Sequence, residues 1–129
     1  MRRVLLGSLA IVLLAAAVPA GCGPFVEVVK VDQAEADRLR AQIATYESEK
    51  LAAGSYKVLQ PIEATSCKLM LWDPPATEQD AIDQLRAKAA KLGANGLMNM
   101  SCGAKQGTSL GKNCWESITC NAAAIHVAR

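Results

Sequence analysis

A chain of 129 residues, 51% of them hydrophobic but only 4% aromatic, has the material for one small domain with a thin core. The formal charge of +2 belongs to Arg2 and Arg3, because removing them from 14 Lys and Arg leaves 12 to balance 12 Asp and Glu. A body without net charge lacks the electrostatic footprint of a nucleic-acid binder or of a basic membrane patch.

Residues 1–21 read as an export signal. Arg2 and Arg3 form a charged start, and Val4 to Val18 is an apolar run without a charge. The run is short for a bilayer span and ends in small residues, as a cleaved leader does. Two cleavage sites compete. Val18-Pro19-Ala20 suits the ordinary signal peptidase, cutting before Gly21. Ala20-Gly21-Cys22 resembles the bacterial lipobox, in which the cysteine becomes the first residue and is diacylated on sulfur, although Pro19 stands where that motif usually has leucine. The cysteine count favours the second site. A free thiol is a liability in an oxidising compartment, and lipidation of Cys22 reduces five cysteines to an even four. Several acyl chains, at about 0.8 kcal/mol per buried CH₂, hold a protein far more firmly than one. Cys22 is the expected anchor, and Gly23 after it resembles the pattern of lipoproteins sorted to the outer membrane.

FVEVVKV, residues 25–31, is β-branched and reads as a strand or an extended tether. From Asp32 the period changes. Asp32 with Glu35 makes an N-cap signature, and Ala36, Leu39, Ile43 and Tyr46 recur at helical spacing. The spacing predicts a helix to about Ala53, stopping at Gly54-Ser55, with its stripe either on its own domain or in a short coiled coil. YKVLQPIEATSC then predicts a strand. Pro61 lacks a ladder donor, so the strand lies at an edge or its pairing breaks there. Asp73-Pro74-Pro75 predicts a turn, and Thr77 with Asp80 caps a second helix whose stripe is Ile82, Leu85, Ala89 and Leu92. Acidic residues open this helix and Arg86, Lys88 and Lys91 close it, matching its dipole, with Gly93 as the C′ residue. LMNMSC predicts a short strand, GAKQGTSLGKN a loop, and SITCNAAAIHVA the last strand. The expected fold is α+β: a small, mainly antiparallel sheet with one packed helix, in the order β-α-β-β, stapled by disulfides and preceded by an N-terminal helix. The expected division is a signal at 1–21, an anchor, tether and helix at 22–54, and the stapled domain at 55–129.

Cys67, Cys102, Cys114 and Cys120 are separated by 34, 11 and 5 residues, without the close pairs typical of tetrahedral zinc sites. Export favours disulfides over metal or a redox C-x-x-C pair, so no metal or other cofactor is expected. In an extended CWESITC segment Cys114 and Cys120 stand roughly 20 Å apart, whereas a disulfide needs Cα atoms within about 7 Å. That removes Cys114–Cys120 together with Cys67–Cys102 and leaves two pairings open. Each closes long loops, worth about 3 to 4 kcal/mol per bridge on the entropy model.

No set of residues assembles into a catalytic site. His126 is the only histidine and sits in an apolar strand without a serine or free-thiol partner. Asp80 and Asp83 read as solvated charge at a helix start. Trp72 and Trp115 read as packing on disulfide sulfur. Gly93 and Gly96 do not make a phosphate loop.

Ser66-Cys67, Pro74-Pro75, the run AAKLGANGLMNMSC and the pair Cys114 and Cys120 together resemble the RcsF family, the outer-membrane lipoprotein that feeds the Rcs envelope-stress phosphorelay. The resemblance covers roughly residues 56–127, and the cysteine frame is its specific part. By position it implies the crossed disulfides Cys67–Cys114 and Cys102–Cys120. It also implies a non-enzymatic role in signalling, with an inner-membrane signalling protein and outer-membrane β-barrel proteins as partners. The family's proline-rich basic tether has no counterpart here, where a strand-like piece and a helix occupy 25–53. The resulting reading is an outer-membrane lipoprotein, held to the membrane by its lipid and facing the periplasm, that acts through protein contacts. A small-ligand- or metal-binding envelope protein and a structural lipoprotein are the competing classes.

Overall fold

A computed structural model describes residues 29–106 and 114–128. The leader, Cys22, most of the 25–31 stretch and residues 107–113 of the expected loop lie outside the described residues.

The first helix, α1 (Gln33–Gln42), begins as expected: the Asp32 side chain accepts from the Glu35 backbone N–H at 2.8 Å. It does not run to Ala53. Strand β1 (Ala44–Tyr46) follows, and a 3-10 turn over Ser48–Lys50 comes after it. Ile43, Thr45 and Tyr46 are the β-branched and aromatic types that a pleated surface suits. The backbone edge of a second strand decides between the two periods, because β1 pairs with it in parallel, Ala44 opposite Gly96 and Tyr46 opposite Met98. The expected stripe is nonetheless buried, as Ala36, Leu39 and Ile43 are each 3% exposed or less. The helix lies on its own domain, so the coiled-coil alternative does not arise within this chain.

Strand β2 (Tyr56–Lys68) and helix α2 (Glu78–Lys91) follow, then β3 (Gly96–Gln106) and β4 (Glu116–Val127). The sheet order is β1-β3-β4-β2, with β2 and β3 both antiparallel to the central β4. The element order therefore gains α1 and β1 before the expected β-α-β-β, and the sheet is mixed because β1 is parallel. β2 is an edge strand, as Pro61 requires. β3 is longer than expected and takes in residues 103–106 of the expected loop. It breaks register between Met98 and Ser101, where Asn99 has φ 53° and its side chain accepts from the Ser48 backbone N–H at 3.0 Å. At Gly96 a Cβ would meet the Tyr46 ring at 2.7 Å and Ile125 at 3.1 Å, so a larger residue would have to push the Tyr46 ring aside where β1 meets β3.

α2 begins at Thr77, whose hydroxyl accepts from the Asp80 N–H. Its last turn is a Schellman motif. Gly93 N–H bonds Ala90 C=O, Ala94 N–H bonds Ala89 C=O, and Gly93 takes φ 75°. The buried stripe is rotated from the expected one. Ala81, Gln84, Leu85 and Ala89 face inward, Ile82 is half-buried, and Leu92 is exposed because it is the C-cap. The small alanines let the helix approach the sheet closely over Ile62, Ala64, Leu97, Cys120, Ala122 and Ala124.

Ala94 and Asn95, inside the AAKLGANGLMNMSC run, each have a structural role. Ala94 is buried beneath the Schellman turn. The Asn95 side chain donates to Val127 C=O at 2.8 Å and accepts from Val127 N–H at 2.7 Å. Its backbone N–H bonds Ile125 and its C=O accepts from Ala44. One residue thus laces β1, the start of β3 and the end of β4.

Candidate functional site: a disulfide-held turn and the open sheet face

The sheet carries two disulfides, Cys67–Cys114 and Cys102–Cys120, with Cα separations of 5.4 and 4.0 Å. This is the pairing that the resemblance implies. Cys102 and Cys120 stand directly opposite on β3 and β4, and Cys120 sits in the core under α2. Cys67–Cys114 ties the end of β2 to the residues that lead into β4. Next to it, Trp115 N–H bonds Lys68 C=O at 2.8 Å. All four cysteines are consumed as sulfur–sulfur bonds, and no group of three or more metal-ligating side chains occurs among the described residues.

Between the first disulfide and α2 the chain makes a turn that sequence reasoning placed three residues too late. Met70 N–H bonds the Asp73 carboxylate at 2.8 Å and Asp73 N–H bonds Met70 C=O at 3.1 Å, so the central turn residues are Leu71 and Trp72. Pro74-Pro75 then lead on to the Thr77 cap without forming the turn themselves. Such turn positions usually go to Gly, Asn, Asp, Pro or Ser. Here Leu71 is 68% and Trp72 81% exposed, and Leu69, Met70 and Trp115 are between 44% and 51% exposed. The expectation of packing on sulfur fails for Trp72, whose ring the turn carries outward, while Trp115, next to Cys114, is half-exposed just before β4. Beside the turn lies a groove of about 620 Å³ whose walls include Val29, Lys30, Leu69, Met70, Pro74 and Pro75.

A second surface lies on the sheet face away from the α2 core. Glu63, Asn121 and Ser101 stand in register across β2, β4 and β3, and all three are exposed. Thr65 and Thr119 form the next row, joined through their hydroxyls at 2.9 Å. A shallow depression of about 330 Å³ runs along Glu63, Ser101, Gly103, Thr119 and Asn121. It offers hydroxyls, an amide and one carboxylate, chemistry suited to hydrogen bonding with another polypeptide.

The remaining singled-out residues do not assemble at either surface. His126 is exposed on β4 opposite Lys57. Asp80 accepts from the Gln84 amide at 3.0 Å. Asp83 is not solvated as expected. It is 5% exposed and accepts from Arg40 Nε and Nη2, Arg86 Nη1 and the Gln79 amide. The hydrogen bond to Asp83 raises the Arg40 guanidinium above its ordinary pKa. This network clamps α1 to α2. Its partners lie 43 residues apart, and no local pattern announces it. The exposed Leu-Trp pair did leave a signal: an apolar run placed directly before Asp-Pro-Pro, outside either periodic stripe.

Comparison with known proteins bears on this geometry. The RcsF lipoprotein family model matches residues 24–128. No curated protein matches the chain. Among solved structures, a protein of unknown function of the DUF74 family from Pediococcus pentosaceus superposes with a TM-score of 0.48 at 16% identity, over 69% of this chain and 100% of that one.

Proposed function

The chain belongs to the RcsF lipoprotein family, and from that premise we propose that it is an outer-membrane lipoprotein anchored through acylated Cys22, with a stapled domain that works by protein contact in the periplasm. The observation that carries this reading is the extent of the match. It takes in the whole folded body, α1 and β1 included, and both crossed disulfides. Attachment through the lipid rests on the Ala20-Gly21-Cys22 motif at the end of the apolar leader; among the described residues no helix is long and apolar enough to cross a membrane. Residues 1–21 are the leader that directs export and acylation.

The role proposed for the domain is envelope-stress signalling, with an inner-membrane signalling protein and outer-membrane β-barrel proteins as the partners that the family suggests. The open face around Glu63, Asn121 and Ser101 is the partner surface. A polar, rigid face stapled by Cys102–Cys120 can bind with little ordering cost. A photo-crosslinking residue at Asn121 in intact cells should capture an envelope protein, whereas one at Lys57, near the far end of the sheet, should not. Equal yields from both positions, or none from Asn121, would remove this surface from the proposal.

A further inference from the structure

We propose that the Met70–Asp73 turn is a second membrane contact, which dips Leu71 and Trp72 into the headgroup region of the bilayer that holds the lipid anchor. The inference rests on the reading of Cys22 as that anchor.

Three observations meet at this turn. The first is its chemistry: two central turn residues that would ordinarily be polar are a leucine and a tryptophan, both largely exposed. Met70 widens the apolar tip, half-exposed Trp115 lies at its base through its N–H bond to Lys68 C=O, and Lys30 lines the adjoining groove. A tryptophan with flanking leucine and a nearby lysine is a side-chain set that partitions to the membrane–water interface, where the indole buries its ring and keeps its N–H wet.

The second observation is tether length. Cys22 and Val29 are seven residues apart, which at full extension spans about 25 Å. Val29 and Lys30 line the same groove as Leu69, Met70 and Pro74. The anchor therefore enters the domain beside the turn, on a leash shorter than the domain's own width of roughly 30 Å. The chain from the anchor joins the domain at Val29, beside this turn. Tethering also makes insertion an intramolecular event, so a contact too weak to bind vesicles alone is populated once the acyl chains are in place.

The third is rigidity. Met70 and Asp73 bond each other twice, and the Cys67–Cys114 bridge fixes the base of the turn. The tip is presented without an ordering cost at the moment of contact. A protein docking on the same tip would have to approach from the side on which the leash keeps the bilayer, which is why a lipid surface is the better occupant.

Trp72 and Trp115 are the only two tryptophans in the chain, so fluorescence reads the proposal directly. The full-length protein, matured in cells and carrying Trp115→Phe, is reconstituted into phosphatidylethanolamine–phosphatidylglycerol vesicles, with or without lipid brominated near the top of the acyl chain. The expected result is a blue-shifted Trp72 emission that brominated lipid quenches and aqueous iodide does not. Leu71→Ser should weaken both effects while leaving the protein on the vesicles. A protein that floats with the vesicles but shows water-like, iodide-quenched emission would overturn the inference and leave the anchor intact. A protein with no acyl mass that fails to float would remove the anchor reading, and this inference with it. Shielding of Trp72 that appears only when envelope proteins are added, without quenching by brominated lipid, would make the tip a protein-docking surface and equally overturn the proposal.

Discussion

Two single residues carry more of the structure than their position in the sequence suggests. Asp83 is a buried carboxylate held by Arg40 and Arg86. Removing one member of such a set leaves the other charges poorly compensated, which costs about 3 kcal/mol or more. Asp83→Ala should lower the thermal midpoint accordingly. Arg40→Ala should cost less, because Arg40 is the more exposed partner and Arg86 still answers the carboxylate. Thermal melts of the two variants check the order, and a larger loss for Arg40→Ala would contradict it. Asn95 is the second case. Asn95→Ala strands Val127's N–H and C=O at the end of β4, at about 1 to 3 kcal/mol for the unmet groups. Hydrogen exchange at the Val127 amide should accelerate more than exchange at Cys120, since the loss is local. The sequence marks Asn95 only as part of a family-like run, and it marks Asp83 as surface charge. The structural role of each is hidden for one reason: the decisive partners, Val127 and Arg40, are 32 and 43 residues away.

At the scale of elements, caps and breakers were legible and tertiary choices were not. Asp32, Thr77, Gly93 and Pro61 act through their own backbone or the next turn, so their effects follow from local chemistry. Ile43 and Tyr46 fit a helical stripe and a strand equally well, and the vacant side of β3 settles the matter by offering hydrogen bonds that a longer helix would not need. The consequence is functional. A helix on a hinge at Gly54-Ser55 would be replaceable, whereas α1 and β1 supply Leu39 and Ile43 to the interior and cover the edge of β3. Replacing residues 32–53 with a flexible linker should therefore destabilise the domain and expose a strand edge prone to self-pairing. Circular dichroism melts and gel filtration read both effects. An unchanged midpoint with a monomeric profile would show that α1 and β1 are dispensable.

For the whole molecule, the thin core and the two staples are one design. The buried interior is built largely from alanines and a few leucines and isoleucines, with Cys120 among them. On the entropy model the 47-residue and 18-residue separations are worth about 4 and 3 kcal/mol. Cys102→Ala with Cys120→Ala should therefore leave a domain that is mostly unfolded at growth temperature and that captures no partner. Retention of a cooperative melt near the parent midpoint would show that the alanine core suffices alone.

The proposed function requires that this family member reach the envelope as an acylated, fully stapled chain. Intact mass spectrometry of the protein extracted from cell envelopes, without reductant, tests both halves at once. The account predicts a chain starting at Cys22 that carries a diacylglycerol and an amide-linked acyl group, with Cys67, Cys102, Cys114 and Cys120 all oxidised and blind to thiol alkylation. An unacylated chain starting at Gly21, or a mass that takes up alkylating reagent at those four positions, would contradict it.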